Sequence, residues 1–280
     1  MKANNVWFVT GASKGLGLSM VKTLLTKGYK VAATSRNKQA LENVVGKQPD
    51  FLALEVSLTD EENIKNAISE TVSTFGVIDV VVNNAGYGQI GTLEELSDKE
   101  IRQNYEINVF GSLNIIRNVM PLLRKQGSGH IFNIASIGGY TGNFPGWGSY
   151  ISTKFAVVGF TESLAAEAKP LGINATVVYP GYFRTNFLNK DAVATPLNQI
   201  EDYKNAREIQ RKHEEEINGN QLGDPDKAAE AIIKISEVEN PPVHLFLGSD
   251  AYEVVGEKNA VIKQDLETWK ALTLSTDFAG

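Results

Sequence analysis

The sequence predicts an α/β fold in which a parallel sheet is covered by helices on both faces. Three observations carry that expectation. Short, almost wholly apolar runs recur along the chain, stretches of helical periodicity separate them, and a glycine-rich turn joins the first run to the first helix. Strands without polar alternation are buried on both faces, and right-handed crossovers place helices on each side of such a sheet.

The elements follow in order. Val6–Thr10 reads as a buried strand and Gly15–Lys27 as a helix with apolar positions at Leu16, Met20, Leu24 and Leu25. Gly28 closes that helix, and Lys30–Thr34 is the next strand. Helix, strand and helix are expected over residues 37–46, 51–55 and 60–75. Ile78–Val82 is a fully apolar strand ending in Asn83-Asn84-Ala85-Gly86. A long helix is expected over 98–126, bent near Pro121, before a strand at His130–Ala135. The next helix carries Tyr150 and runs to residue 169, after which Pro170-Leu171-Gly172 turns the chain into strand Ile173–Tyr179. A polar, charged stretch at 189–220 interrupts the alternation and reads as a helix-containing insertion over the sheet's carboxyl edge. The tail after residue 250 has no decisive pattern and is treated as a C-terminal extension, 250–280. With no repeat, low-complexity tract or Pro-rich linker, the chain is expected to form one domain, 1–280.

Composition narrows the function. The chain has 280 residues, 42% hydrophobic and 21% charged, which is ordinary for a soluble globular protein. A net charge of −6 argues against a nucleic-acid partner held through its phosphates. The absence of cysteine excludes disulfides and thiolate metal sites and suits a reducing interior. The N-terminal run into the first strand lacks the apolar region of a signal peptide, and no apolar run approaches the ~18 residues of a membrane span. A cytoplasmic protein without a membrane partner is expected. His130, His213 and His244 are scattered and form no metal-ligating pattern, and His130, opening a strand, reads as structural.

Thr10-Gly11-Ala12-Ser13-Lys14-Gly15-Leu16-Gly17 joins the first strand to the first helix. Glycines there allow a tight turn and let backbone N–H groups approach a pyrophosphate at the helix N-terminus. The spacing is Gly-x-x-x-Gly-x-Gly, neither the Gly-x-Gly-x-x-Gly fingerprint nor a Walker loop. A plain strand-to-helix turn is the bland alternative, but the position at the head of a βαβ unit favours a dinucleotide. At the end of the second strand, an acidic residue would bind the adenosine ribose and repel a 2′-phosphate. Ala33-Thr34-Ser35-Arg36-Asn37 has none. Arg36 can pair with a phosphate and Lys14 can reach the same corner; each alone is as easily a solvated charge. Together they favour NADP(H) over NAD(H).

Ser136, Tyr150 and Lys154 form a candidate proton-handling set. Tyr150 and Lys154 stand four apart on an expected helix, so they share a face. A neighbouring ammonium favours the phenolate, which would bring a phenol nearer to use as an acid or base at neutrality.

In order and spacing, Thr10–Gly17, Asn83–Gly86, Asn108, Ser136, Tyr150, Lys154 and Pro180-Gly181 through Thr185 resemble the short-chain dehydrogenase/reductase family of single-domain type. The resemblance covers about the first 190 residues and, more loosely, the region to 250. It implies a Rossmann-type doubly wound parallel sheet, a nicotinamide cofactor and alcohol–carbonyl redox chemistry. By the same resemblance Ser136 would polarise the substrate oxygen and Tyr150 would exchange a proton with it. Lys154 would bind the nicotinamide ribose and lower the phenol's pKa, and Asn108 would hold a water through its main-chain carbonyl. The cofactor would be lined by Gly11, Ser13, Lys14, Gly15, Leu16, Gly17, Arg36, Val56, Asn83, Ala85, Gly86, Pro180, Gly181, Phe183 and Thr185, with Thr185 on the carboxamide. Glu55 stands where the family usually has an aspartate against the adenine. Asn-Asn-Ala-Gly-Tyr-Gly with Gly129-His130-Ile131 is similar to retinol- or steroid-dehydrogenase-like members, labels that span many substrates.

Ile137, Tyr140, Phe144, Trp147, Tyr182 and Phe187 are expected to wall an apolar substrate pocket, with residues 189–220 as a lid. The expected substrate is a small carbonyl or alcohol, apolar or ring-bearing. Homodimer or homotetramer formation through the two long helices follows from the family likeness. Two other classes compete: an NADP(H) sensor without turnover, against which Tyr150 and Lys154 both speak, and sugar-nucleotide chemistry, which needs a larger C-terminal domain.

Overall fold

Alternation of side chains along each strand decides the architecture. In the computed structural model, residues 6–189 and 192–278 are described; residues 1–5, 279–280, and Lys190 and Asp191 of the expected insertion lie outside the described residues. Strand β1 (Val6–Val9) sends Trp7 and Val9 to one face of the sheet and Phe8 to the other. Strands β2 (Lys30–Ser35), β4 (Val80–Asn83) and β6 (Gly129–Ile134) divide in the same way, Val31, Val82 and Phe132 against Ala32, Val81 and Ile131. Both faces are therefore apolar, and each needs a helical cover.

On one face lie α1 (Gly15–Thr26) and α8 (Pro225–Ser236), which bury Met20, Val21, Leu24, Ile232 and Ile233. On the other lie α3 (Glu61–Phe75), α5 (Gly111–Gln126) and α6 (Gly148–Ala168), which bring Ile64, Ile115, Val119, Leu123 and Leu164. Local chemistry marks several helix starts. Asn37 accepts from Ala40 N to begin α2 (Lys38–Val45), and Asp60 accepts from Asn63 N to begin α3. Ser97 and Glu100 form a reciprocal capping box for α4 (Asp98–Tyr105).

With β3 (Phe51–Glu55), β7 (Ile173–Pro180) and β9 (His244–Leu247), the seven strands pair in the order β3-β2-β1-β4-β6-β7-β9, and every pairing is parallel. The order reverses between β1 and β4, which opens a crevice at their carboxyl ends. This is the Rossmann-type single-domain sheet the sequence implied.

One feature differs from expectation. The helix through 98–126 continues past Pro121, and its irregularity lies instead at Glu106–Phe110, a turn of π-helix between α4 and α5. Asn104 and Asn108 both bond the Tyr87 backbone beside this turn, which ties the widened stretch to the segment after β4. The tail, whose pattern decided nothing, is helical: α9 (Ser249–Thr268) and α10 (Lys270–Leu274) extend it, with Leu266, Trp269 and Leu272 exposed. The insertion holds a short strand β8 (Val193–Ala194), helix α7 (Lys204–Arg211) and a π turn at Lys212–Ile217. Strand β8 pairs in parallel with β5 (Gly88–Gln89). No helix among the described residues is long and apolar enough to cross a membrane.

His130 is structural, and its tautomer can be derived. The Thr176 hydroxyl donates to Pro242 O at 2.6 Å, so it must accept from His130 Nε2–H, 2.9 Å away. Burial pushes the imidazole's pKa from 6.5 down to about 3. Below pH 6.5 the unfolded chain therefore binds a proton that the folded chain refuses. Stability should fall as pH drops towards 3, by up to about 1.4 kcal/mol per pH unit from this residue. Urea denaturation between pH 4.5 and 7.5 should show a shallower pH dependence for His130→Asn; an identical slope would contradict the assignment.

Candidate active site

The glycine loop lies against the segment that follows β4, and the contact is too close for side chains. Gly11 has φ +65°, and a Cβ on it would stand 2.7 Å from Ala85 Cα. A Cβ on Gly17 would stand 2.5 Å from both Asn84 Nδ2 and Gly11 O. Thr10 clamps the same junction: its hydroxyl accepts from Asn84 N (3.0 Å) and Ala85 N (3.1 Å), while Asn84 Nδ2 donates to Thr10 O and Gly11 O, each at 3.0 Å. Gly17 serves this packing, whereas Gly11, Ser13, Lys14, Gly15 and Leu16 line the cleft.

The cleft measures about 880 Å³ and runs from the β2 end to the α6 face. Helix α1 opens on it without a side-chain cap and without an acidic residue in its first turn. Its free N–H groups and positive dipole end suit a pyrophosphate. Thr34, Ser35, Arg36 and Val56 line the far end. Among the described residues neither Lys14 nor Arg36 has a carboxylate within ion-pair distance. Glu55 does not line the cleft. Its carboxylate accepts from Lys38 N at 3.4 Å, at the start of α2. Asn83 is also displaced from the expected role: it is buried beneath the cleft, donating to Asn133 Oδ1 at 2.8 Å, while Asn84, Ala85 and Gly86 form the wall. These residues fit a nicotinamide dinucleotide.

Ser136, Tyr150 and Lys154 meet midway along the cleft. Ser136 follows β6, and its hydroxyl accepts from Gly138 N at 3.0 Å. Tyr150 and Lys154 stand on α6, one turn apart and both buried. Lys154 Nζ donates to Ile134 O at 2.8 Å and lies 5.7 Å from the centre of the Tyr150 ring. Asn108 stays outside the cleft lining: its amide brackets Tyr87 N and O, both at 3.0 Å, and donates to Thr153 Oγ1 at 3.1 Å. Thr153 in turn donates to Tyr150 O, so Asn108 is joined to the base of the tyrosine's turn.

Burial moves the two groups in opposite directions. It pushes Tyr150 up from 10.0 to about 12, against a hydrogen bond with Ser136 that pulls down, and Tyr182 nearby adds to the rise. It pushes Lys154 down from 10.5 to about 8. The sequence implied a phenol acidified by its lysine; the protein's own residues hold it less acidic. The ammonium is aimed at the Ile134 carbonyl and faces the ring, so desolvation dominates the phenol.

Of the expected pocket wall, Ile137, Phe144, Trp147, Tyr182 and Phe187 line the cleft. Trp147 and Phe187 pack on Tyr150 with ring centroids 5.6 and 5.8 Å away. Tyr140 does not line it. Its ring packs edge-on against Tyr179 and Phe246, and its hydroxyl donates to Asn259 on α9. Pro180, Gly181, Phe183 and Thr185 are on the wall, with Thr185 opposite Gly15.

Nothing in the chain's local pattern singles out His213 beyond its place in the charged insertion. Its Nδ1 lies 2.7 Å from Ile209 O and must carry the proton, so the neutral ring accepts from the Tyr182 hydroxyl through Nε2 at 2.8 Å. Burial lowers its pKa. The insertion is fastened to the 92–100 region by Glu95, which takes Ile200 N (2.9 Å) and Arg207 (2.6 Å), and by Glu100, which takes Leu197 N (3.1 Å).

Comparison with known proteins identifies the family. The short chain dehydrogenase family model matches residues 5–194. An oxidoreductase of Botryotinia fuckeliana is 35% identical over 275 residues, 97% of this chain and 98% of that protein. The crystal structure of a short-chain dehydrogenase from Streptomyces avermitilis superposes with a TM-score of 0.89 at 35% identity, covering 98% of this chain and 99% of its own. More distant solved relatives, each 26% identical, include ElxO with NADP bound (TM-score 0.73; 90% of this chain, 100% of that one). A 3-ketoacyl-(acyl-carrier-protein) reductase from Brucella melitensis is complexed with NADH (TM-score 0.72; 87% and 96%). The chain belongs to the short-chain dehydrogenase family and is a nicotinamide-dependent oxidoreductase.

Gly17 provides a direct check on the packing of the cradle. Gly17→Ala must push Asn84 or the Gly11 carbonyl aside, which should lower the unfolding free energy by about 1–3 kcal/mol. Equilibrium denaturation measures it, and wild-type stability in the variant would contradict the close approach.

Proposed function

We propose that the protein is an NADP(H)-dependent carbonyl reductase or alcohol dehydrogenase with Tyr150 as its proton donor and acceptor. One observation carries the reading: Ser136, Tyr150 and Lys154 open onto the same cleft as the uncapped N-terminus of α1. When bound, NADP(H) supplies or accepts the hydride at the nicotinamide. Ser136 and Tyr150 hold the substrate oxygen from two sides, which fixes the carbonyl carbon for transfer and stabilises the negative charge that develops on oxygen. With its pKa pushed up to about 12, Tyr150 is protonated at neutral pH and suited to act as an acid in reduction. Lys154 holds the nicotinamide ribose, and its charge favours the phenolate once the proton has left.

Lys14 and Arg36, with no carboxylate at the end of β2, support NADP(H) over NAD(H). The aromatic wall of Phe144, Trp147, Tyr182 and Phe187 favours an apolar or ring-bearing substrate. The 189–220 insertion acts as a lid over it. Phe110 and Phe155, exposed on the two long helical stretches, support assembly as a dimer or tetramer.

Two substitutions test the reading. Tyr150→Phe should remove nearly all turnover against a panel of ketones, aldehydes and quinones while NADPH affinity changes little; retained turnover would refute the role. Arg36→Asp should weaken NADPH far more than NADH, and an unchanged ratio of their dissociation constants would count against the cofactor assignment.

A further inference from the structure

We propose that Asp250 is a positioning residue for the cofactor, its carboxylate setting the backbone of the segment from Pro180 to Thr185. This rests on the NADP(H) reading, in which that segment faces the nicotinamide end. Asp250 is the second residue of α9, the first helix of the tail. Its Oδ2 accepts from Tyr182 N at 2.6 Å. A Cβ on Gly181 would lie 2.2 Å from its Oδ1 and 2.4 Å from its Oδ2. A Cβ on Gly248, whose φ is +105°, would lie 2.4 Å from Oδ1. The carboxylate thus fills the gap between the end of β7 and the end of β9, and glycine is required on both sides of it.

The same short segment is held elsewhere by backbone bonds and by the Arg184 guanidinium, which donates to Gln221 O from Nε (3.2 Å) and Nη2 (3.0 Å). Gly181 N donates to Leu247 O at 2.9 Å, Gly223 N to Tyr182 O at 3.0 Å, and Arg184 N to Gly223 O at 2.8 Å. Asp250 supplies the one side-chain partner of Tyr182 N. From that peptide the tyrosine ring reaches His213 of the insertion, and three residues later Thr185 stands opposite Gly15 of the glycine loop. A carboxylate in the first turn of a helix also complements the helix dipole. That role alone would stabilise α9 without touching nucleotide binding, so the two accounts separate experimentally.

The test compares two ligands, NADPH and adenosine 2′,5′-bisphosphate, which occupies only the end near Arg36. Dissociation constants would be measured for the wild type, Asp250→Ala, Asp250→Asn, Gly181→Ala and the Gly181→Ala/Asp250→Ala double variant. Asp250→Ala should weaken NADPH by about tenfold, the scale of a lost charge-assisted hydrogen bond. The bisphosphate should stay within about twofold. Asp250→Asn, which keeps an acceptor oxygen, should restore most of the NADPH affinity. Gly181→Ala should weaken NADPH comparably, and the double variant should bind it no worse than Asp250→Ala, because the side chain that met the new methyl has gone. NADPH affinity near wild type in Asp250→Ala, equal losses for both ligands, or additive losses in the double variant would each overturn the proposal. A wild type that binds neither ligand would instead overturn the NADP(H) reading, and this one with it.

Discussion

The site depends on a contact of backbone with backbone where β1 and β4 diverge. Gly11 lies on Ala85, Gly17 lies on the Asn84 amide, and the Thr10 hydroxyl collects the N–H groups of Asn84 and Ala85. The loop is thereby pinned to the strand beside it, and the first turn of α1 is left facing open space. A side chain at Gly11 or Gly17 would force the two segments apart. The rest of the cleft is measured from this junction: a Cβ on Gly86, at its end, would stand 3.1 Å from Asn108 Oδ1 and 3.6 Å from Lys154 Nζ.

Burial then sets the chemistry. Tyr150 and Lys154 share a face of α6 and are withdrawn from water together, which disfavours both charged forms, the phenolate and the ammonium. The pair therefore begins nearer to neutral than isolated side chains would be. Ser136 works against that for the phenol, and the Ile134 carbonyl gives the ammonium a partner. A group that brings charge or hydroxyls into the cleft alters both balances at once. Desolvation is the largest influence on both groups, which is why the spacing of Tyr150 and Lys154 alone did not predict the direction of the phenol's shift.

Much of this was legible in the chain because it is local. Apolar runs such as Val80–Val82 read as strands since they are buried on both faces, and Tyr150 and Lys154 read as neighbours since a helix repeats every 3.6 residues. What escaped is what depends on distant partners. Tyr140 follows Ser136 closely but turns to Tyr179, Phe246 and Asn259, the last more than a hundred residues on. Glu55 ends its strand as expected, yet its carboxylate goes to the start of α2 rather than to the cleft. Pro121 drew attention as a helix breaker, while the widened turn formed at Asn108, beside its bonds to Tyr87. His213 belongs to a charged stretch whose position over the cleft is set by Glu95 and Glu100, residues with no local relation to it.

The tail shows the same division within a single element. Beyond its first turns α9 carries mostly exposed side chains, and its pattern said little because little of it is buried. Its start is another matter. Asp250 reaches the Tyr182 peptide, the Tyr182 ring reaches His213, and His213 lies against Trp147, which packs on Tyr150. Four segments far apart in sequence thus make a continuous path from the tail, across the end of β7 and the insertion, to Tyr150. Every link in it is a hydrogen bond or a ring contact, and all of its members but Asp250 line the cleft, so displacement of any one of them must be felt by the next. Ser136, Tyr150 and Lys154 stand on regular elements, at the end of β6 and on α6, whereas this path runs through the segments where the insertion and the tail meet the strand ends.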